Sequence, residues 1–184
     1  MNKTVAALFV RKDSIYNTIP QVDPYDYDRD ATTYAGPYPV IAHPPCGAWG
    51  RFRRHVERAS GRRAEEERSL GRFAVQQVQR YGGVLEQPAC SSLWEDAALP
   101  LHGTDSHGGY TIQICQSWFG HPAEKCTWLY IVNRGAPLPP FPYDFHIPTT
   151  GLLKLGRAQR EATPPHFAAW LVAIAAAANT RQVQ

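Results

Sequence analysis

An apolar run that ends in two consecutive prolines constrains this chain more than any other feature. Residues 40–42 (Val-Ile-Ala) are followed by His43, the pair Pro44-Pro45 and Cys46. Neither proline has an N–H to donate, so the pair can neither extend a helix nor continue a paired central strand. The pattern therefore predicts a short buried strand that stops at the prolines, with Cys46 on the loop beyond it.

The position of Cys46 allows two interpretations. In an open α/β sheet, ligands bind at the ends of strands, and a thiol held there on a rigid loop can act as a nucleophile. The alternative is a buried structural cysteine beside a proline turn, because free cysteine is among the most buried residue types. This stretch alone does not decide between them.

Other apolar runs of strand length alternate with helical patterns along the chain. Strands are predicted where apolar or β-branched runs lack a helical period, at residues 4–10, 38–42, 83–86, 110–116 and 127–132. Residues 23–30 are acidic and aromatic, and we interpret them as a solvated turn segment in preference to a short strand.

Two helices are predicted with more definite ends. Residues 64–81 carry apolar side chains at i, i+3 and i+4 spacing, and Gly82-Gly83 stops the pattern. The last helix is predicted over residues 164–178, with Thr163 as N-cap and Pro164 in the first helical position. The order of elements predicts an α/β fold with a mainly parallel, twisted sheet flanked by helices.

Length and composition fit one domain. The chain has 184 residues, of which 43% are hydrophobic and 19% charged, enough for a real core. We expect a single compact domain over residues 1–184, with an irregular Pro-rich segment at 134–150. The net charge of +3 permits contact with nucleic acid or nucleotides without demanding it.

The spacing of the cysteines and the lengths of the apolar segments indicate in which cellular compartment the protein is expected. None of the four cysteines forms a C-x-x-C pair, which is unlike a zinc site or a secreted disulfide framework. The apolar start breaks at residues 11–13, too early for a signal peptide, and the apolar tail at 167–178 is too short to span a bilayer. We expect a soluble cytoplasmic protein with no membrane partner and no bound metal.

Four stretches, in this order, resemble the cytosine-C5 DNA methyltransferases. Ala-His-Pro-Pro-Cys (42–46) resembles the Pro-Cys nucleophile loop of that family, and Leu-Glu-Gln-Pro (85–88) its Glu-Asn-Val segment. Residues 119–125, with the apolar run 128–132, are similar to its Tyr-Gly-x-Pro-Gln-x-Arg stretch and the following strand. Thr-Pro-Pro-His-Phe-Ala (163–168) resembles the Asn-x-Val-Pro-Pro start of its last helix. The chain also resembles a group of short phage or prophage proteins.

The resemblance implies a reduced Rossmann-like methyltransferase core and a specific chemistry. Cys46 would attack carbon 6 of a pyrimidine, Glu86 would hold the N3 edge of the base, and S-adenosylmethionine would donate a methyl group to carbon 5. Expected cofactor contacts are Phe9, Asp13, Ser14, Asp26 and Pro44. Expected contacts to the substrate or nucleic acid are His43, Trp49, Arg51, Arg53, Gln87 and Lys125. The partner would be DNA or a pyrimidine nucleotide, and a base inside a duplex would have to be flipped out.

The chain departs from the family in three places. The run 8–10 is followed by Arg-Lys-Asp-Ser (11–14) and lacks the glycine turn that brings the backbone close to the cofactor. The segment before Cys46 is compressed, and residues 133–162 are too few for a target-recognition domain. Target recognition would then fall to a separate protein.

Two further hypotheses therefore stay open. One is a phage regulator or counter-defence factor that has lost methyl transfer and binds nucleic acid or another protein. In this hypothesis an arginine cluster binds phosphate groups: Arg51, Arg53, Arg54, Arg58, Arg62 and Arg63. The alternative interpretation of the same cluster is a solvated helix face or a mobile loop. The other hypothesis is a metal-dependent hydrolase, although no H-x-x-x-H or C-x-x-C spacing favours it; its ligands would come from His43, His55, His102, His107, His121, Cys115 and Cys126.

Overall fold

A six-stranded mixed sheet lies at the centre of the protein, in a computed structural model that describes residues 2–51, 53–141 and 146–178. The strand order across the sheet is β2-β1-β3-β4-β6-β5. The strands are β1 (Val5–Leu8), β2 (Val22–Tyr25), β3 (Val40–Ala42), β4 (Gly83–Pro88), β5 (Tyr110–Cys115) and β6 (Cys126–Val132).

Five α-helices accompany the sheet within the described ranges. They are α1 (Arg53–Ala59), α2 (Gly61–Tyr81), α3 (Leu93–Asp96), α4 (Arg157–Glu161) and α5 (Pro165–Ala177). Short 3-10 helices lie at Ile15–Thr18, Ala31–Thr33, Gln116–Phe119 and Leu152–Lys154. None of the described helices combines the length and the apolar character needed to cross a membrane.

The α/β class is confirmed, and the sheet is parallel in its first four strands. β2, β1, β3 and β4 pair in parallel, whereas β6 pairs antiparallel with both β4 and β5. The link between β5 and β6, residues 116–125, is too short for the crossover that parallel neighbours require. The sheet is therefore mixed.

Helices cover both faces of the central strands. Ile41 and Val84 belong to the apolar cluster on the side of α5, and Ala42 and Leu85 belong to the cluster on the side of α2. All four side chains are fully buried. A strand that is buried on both faces has a nearly continuous run of apolar residues in its sequence. For this reason the apolar runs predict the positions of β1, β3 and β6 closely.

Gly83 allows β4 to pair closely with β3 in the observed register. Its φ of +116° lies in a region that L side chains rarely adopt, and a Cβ there would stand 1.9 Å from the carbonyl oxygen of Val40. The resulting register pairs Val40 with Gly83 and Ala42 with Leu85. It brings His43 and Glu86 next to each other, one position further along the two strands.

Three local expectations need correction. Residues 23–25 lie in the edge strand β2, where Pro24 is tolerated because an edge can lack a donor. The N-cap of α5 is Pro164, not Thr163, and Pro165 is the first helical residue. The residue before a proline is driven out of the α region, so Pro164 stays extended.

The Pro-rich segment 134–150 has the irregular backbone expected of it wherever the structure describes it. Residues 142–145 of this segment lie outside the described ranges. Thr150 forms an isolated parallel bridge with Ala123, which ties the end of the segment to the link between β5 and β6.

Candidate functional site

His43 and Glu86 form the centre of the site, at the point where the parallel pairing of two neighbouring strands ends. β3 and β4 pair as far as Ala42 and Leu85. His43 follows the end of β3, whereas Glu86 lies within β4, which continues to Pro88 beside β6. The Nδ1 atom of His43 lies 3.0 Å from Oε2 of Glu86. Both side chains are about seven-eighths buried, with 13% and 12% of their surface exposed.

Hydrogen bonds reach both carboxylate oxygens of Glu86. Oε2 bonds His43, and Oε1 accepts a hydrogen bond of 3.0 Å from Nε2 of Gln116, which also donates to Thr127 Oγ1 at 3.0 Å. Burial by itself would raise the pKa of Glu86. The hydrogen bond from His43 and the positive charge of Lys125 outweigh burial and hold the pKa below its ordinary value. Glu86 is therefore an ionised carboxylate at neutral pH.

Tyr16 extends this arrangement on the other side of the imidazole. Its hydroxyl lies 3.0 Å from His43 Nε2, and the side chain is almost completely buried. Burial, followed by the negative charge of Glu86, raises the pKa of Tyr16 well above its ordinary value, so it is a neutral phenol. The three side chains form a continuous hydrogen-bonded chain, Glu86–His43–Tyr16.

Cys46 lies on a loop whose backbone forms hydrogen bonds with side chains of both β4 and α2. Gln87 of β4 donates from Nε2 to the carbonyl oxygen of Pro44 at 2.7 Å. Glu67 of α2 accepts a hydrogen bond of 2.9 Å from the backbone N–H of Ala48. Cys46 as a residue is exposed and lines the cavity described below, so this loop presents its thiol to that cavity.

The thiol of Cys46 is protonated at neutral pH. Burial raises the pKa of this thiol, and the negative charge of Glu86 raises it further. The positive charge of Lys125 lowers the pKa, but by less. A thiolate is the nucleophilic form of cysteine. A reaction at Cys46 would therefore require removal of the proton as the new bond forms.

One cavity of about 560 Å³ contains these groups. Its walls come from segments 9–18, 43–46, 86–88 and 157–163, together with Lys125. It extends from Cys46 past the end of β1 to α4. This volume is within the range of about 300–1,000 Å³ typical of sites that hold one small molecule.

Charged side chains surround the cavity near α4. Arg11 pairs with Asp13 at 2.8 Å and with Glu161 at 3.0 Å, and Glu161 also pairs with Arg157 at 2.8 Å. These pairs join the loop after β1 to α4 across the cavity. Among the described residues, the cavity-lining cations Lys125 and Arg160 have no carboxylate in ion-pair contact, so their charges are available to an anionic ligand.

Four of the five expected cofactor residues line this cavity: Phe9, Asp13, Ser14 and Pro44. Phe9 adopts a φ of 61°, so the chain makes a left-handed turn after β1 without a glycine. The carboxylate of Asp13 is occupied by Arg11. Asp26 lies elsewhere, beyond β2, where it accepts hydrogen bonds from its own turn.

The expected substrate contacts divide into two groups. His43, Gln87 and Lys125 line the cavity with Cys46, whereas Trp49, Arg51 and Arg53 do not. Trp49 is only 2% exposed and packs against Gly71 of α2, so its ring cannot stack on a base in this conformation.

Sequence reasoning missed Tyr16, Gln116 and Arg160. Tyr16 ends the stretch 11–16, whose composition predicts a polar loop or the start of a short helix, and the structure places Tyr16 in the 3-10 helix Ile15–Thr18. Gln116 was included in a predicted strand without a role. Arg160 lies in α4, a helix of five residues that is too short for an apolar periodicity to predict it.

Comparisons with protein-family models, with curated proteins and with solved structures found no match.

Proposed function

We propose that this chain is an enzyme that modifies carbon 5 of a pyrimidine, with Cys46 as the nucleophile. The observation that carries the proposal is that Cys46, on the loop after β3, and Glu86, in the neighbouring strand β4, line one cavity of about 560 Å³. This is the pair of groups that the resemblance to cytosine-C5 DNA methyltransferases implies. We propose the sheet with α2 and α5 as a reduced form of that family's core.

The chemistry begins with addition of sulfur to carbon 6 of the ring. The thiol gives its proton to solvent water, a carbon–sulfur bond forms, and the electrons of the 5,6 double bond move toward carbon 5. Carbon 5 can then attack an electrophile. Water removes the proton on carbon 5, the carbon–sulfur bond breaks as the double bond forms again, and the expelled thiolate takes a proton from water. Lys125 assists because its charge stabilises the thiolate of Cys46.

Glu86 is suited to a ring nitrogen that carries a proton. An ionised carboxylate is an acceptor only, and its two oxygens already bind His43 and Gln116. Neutral uracil has a hydrogen on N3, whereas neutral cytosine has a lone pair there. A uracil ring can donate to Glu86 directly, and a cytosine ring can do so once N3 takes up a proton.

S-adenosylmethionine is the donor that the resemblance implies, and it would supply the methyl group when bound. The described residues fit it only in part. The cavity reaches the end of β1, but Asp13 is engaged by Arg11 and Asp26 lies outside the cavity, so neither carboxylate is free for a ribose. We assign no step to the donor beyond this.

We propose a pyrimidine nucleotide or DNA as the partner. The free charges of Lys125 and Arg160 on the cavity wall suit a phosphate. A base in a duplex would enter only after flipping. On DNA, sequence recognition is proposed to come from a separate protein.

The experiment that tests the proposal uses mechanism-based trapping. The full chain is incubated with a 5-fluorocytosine oligonucleotide, or with 5-fluoro-2′-deoxyuridine monophosphate, together with S-adenosylmethionine, and the intact mass is measured after denaturation. Fluorine cannot leave carbon 5 as a proton does, so the adduct persists. One adduct per chain is expected, absent in Cys46→Ser and retained in Cys90→Ser, whose thiol is also exposed. No adduct with either ring would contradict the proposal.

A second candidate function is binding without catalysis, as a phage regulator or counter-defence factor. It is favoured by one observation: both oxygens of Glu86 already have protein partners, His43 and Gln116. The raised pKa of the Cys46 thiol, caused by burial and then by Glu86, agrees with it. Oligonucleotide binding that weakens with salt, survives Cys46→Ser and is lost when Arg51, Arg53 and Arg54 are changed together would support this function.

A further inference from the structure

Three metal-ligating side chains meet at the end of the β5–β6 pair, in a place separate from the Cys46 cavity. They are Cys115 at the end of β5, Cys126 at the start of β6, and Glu124 two residues before Cys126. Their sulfur and carboxylate oxygen atoms all lie within 4.8 Å of one another. We propose that Cys115, Cys126 and Glu124 bind a zinc ion.

The pairing of the two strands places both sulfur atoms on one side of the sheet. Cys115 and Cys126 are directly opposite each other in the antiparallel register. The neighbouring pair is joined by a hydrogen bond from Gln116 N to Lys125 O at 3.0 Å. Cys115 and Cys126 therefore form a non-hydrogen-bonded pair, the kind in which Cα atoms approach to about 4.5 Å and side chains come closest.

The distances are close to those of a tetrahedral site. Two Zn–S bonds of about 2.3 Å at the tetrahedral angle put the sulfur atoms about 3.8 Å apart, and a Zn–O bond of about 2.0 Å puts oxygen and sulfur about 3.5 Å apart. Cys126 Sγ and Glu124 Oε1 are already 4.0 Å apart. Rotation of exposed side chains is enough to close the remaining gap, because Glu124 and Cys126 are both exposed.

The surroundings fit an open metal site. A second cavity of about 540 Å³ is lined by all three residues and shares no lining residue with the Cys46 cavity. The hydroxyl of Ser117 lies 3.1 Å from Cys115 Sγ, where it can donate to a metal-bound thiolate and orient it. Three protein ligands leave the fourth tetrahedral position open to the cavity for water or a small ligand.

The donor set selects the metal. Two thiolates favour soft or borderline ions over Mg²⁺ and Ca²⁺, which prefer oxygen, and one carboxylate with two sulfurs suits tetrahedral zinc. This site cannot be predicted from the spacing of the cysteines in the sequence, because Cys115 and Cys126 are brought together by a strand pair and not by a C-x-x-C turn.

The test is a zinc titration of the full chain. The protein is reduced with a phosphine, freed of metal with a chelator, and its four thiols are counted to exclude a Cys115–Cys126 disulfide. Zinc is then added in competition with a chromophoric chelator, and Co²⁺ replaces zinc for spectroscopy. One metal per chain is expected, with a thiolate-to-cobalt charge-transfer band.

Matched variants decide the outcome. Cys126→Ser should weaken zinc binding by more than about 100-fold, because even changes around metal ligands cost about 10–100-fold. Glu124→Gln should weaken it as well, whereas Cys46→Ser should bind zinc like the unchanged chain. Cys126 is exposed, so its variant is expected to fold, and circular dichroism checks this. Unchanged affinity in folded Cys126→Ser, or less than one metal bound per chain, would overturn the proposal.

Discussion

Glu86 and His43 are joined across the ends of β4 and β3, with 3.0 Å between Oε2 and Nδ1. The register set by Gly83 brings the two residues together, and both side chains are largely buried. A buried carboxylate that loses its hydrogen-bond partner keeps its desolvation cost without compensation. The pair is therefore as important for the stability of this end of the sheet as for the chemistry proposed there.

Glu86→Gln is expected to lower the free energy of unfolding at pH 7 by about 1–3 kcal/mol, the range for buried hydrogen bonds to charged groups. The folded-state pKa of Glu86 lies below its ordinary value, so its contribution is fully present above the unfolded pKa of about 4.3. It is lost as the pH falls through the folded-state pKa. Urea unfolding at a series of pH values should show the two proteins converging in acid.

The control for this comparison is Glu95→Gln. Glu95 is an exposed carboxylate on α3, so its replacement should change the free energy of unfolding by less than about 0.5 kcal/mol. A difference between the unchanged chain and Glu86→Gln that stayed constant from pH 7 to pH 3 would contradict the role given to the ionised carboxylate.

The end of β3 could be predicted from the sequence, for a clear physical reason. Buried central strands carry unbroken apolar runs, and the prolines after His43 must end one, so Cys46 could be placed on the loop beyond β3. The predicted strand 83–86 ends too early, because β4 continues to Pro88 and Glu86 lies within it. Two hydrogen-bond partners could not be found in this way: Gln116, which donates to Glu86, and Tyr16, which bonds His43. Gln116 and Tyr16 both begin or lie in short 3-10 helices, Gln116–Phe119 and Ile15–Thr18, which have no apolar periodicity to reveal them.

Alkylation of Cys46 by iodoacetamide is expected to have a pH midpoint above about 8.5, the value of an ordinary cysteine. Burial and then Glu86 raise the pKa of Cys46, so fewer thiolates are present at neutral pH. Glu86→Gln should lower the midpoint, and Lys125→Met should raise it. Mass spectrometry of the peptide containing Cys46 separates it from the other thiols. A midpoint below that of an ordinary cysteine would show that the thiol is activated instead.

Gly71→Ala is expected to destabilise the protein although alanine is the better helix former. Helix propensity favours alanine over glycine by about 1 kcal/mol. A Cβ at position 71, however, would lie 2.6 Å from Nε1 of Trp49, a buried and rigid indole, and such overpacking costs about 1–3 kcal/mol. We expect the clash to prevail and to disturb the Cys46 loop, since Trp49 donates its backbone N–H to the carbonyl oxygen of Cys46.

Gly61→Ala provides the matched comparison in the same helix. No atom lies within 4 Å of a Cβ at position 61, so the substitution should be neutral or stabilising by up to about 1 kcal/mol. Urea denaturation of both variants measures the difference. Equal stability of the two would show that Trp49 moves aside without cost.

The imidazole of neutral His43 is expected to carry its proton on Nδ1. Ionised Glu86 can only accept, so Nδ1 must donate to it, and Nε2 then accepts from the neutral phenol of Tyr16. Long-range ¹H–¹⁵N correlation spectra should show the Nδ1–H form of the ring. Tyr16→Phe should keep this tautomer and lower the free energy of unfolding by about 1 kcal/mol through the lost hydrogen bond. An Nε2–H ring in the unchanged protein would mean that His43 donates to Tyr16, and that Glu86 carries the proton between the two side chains.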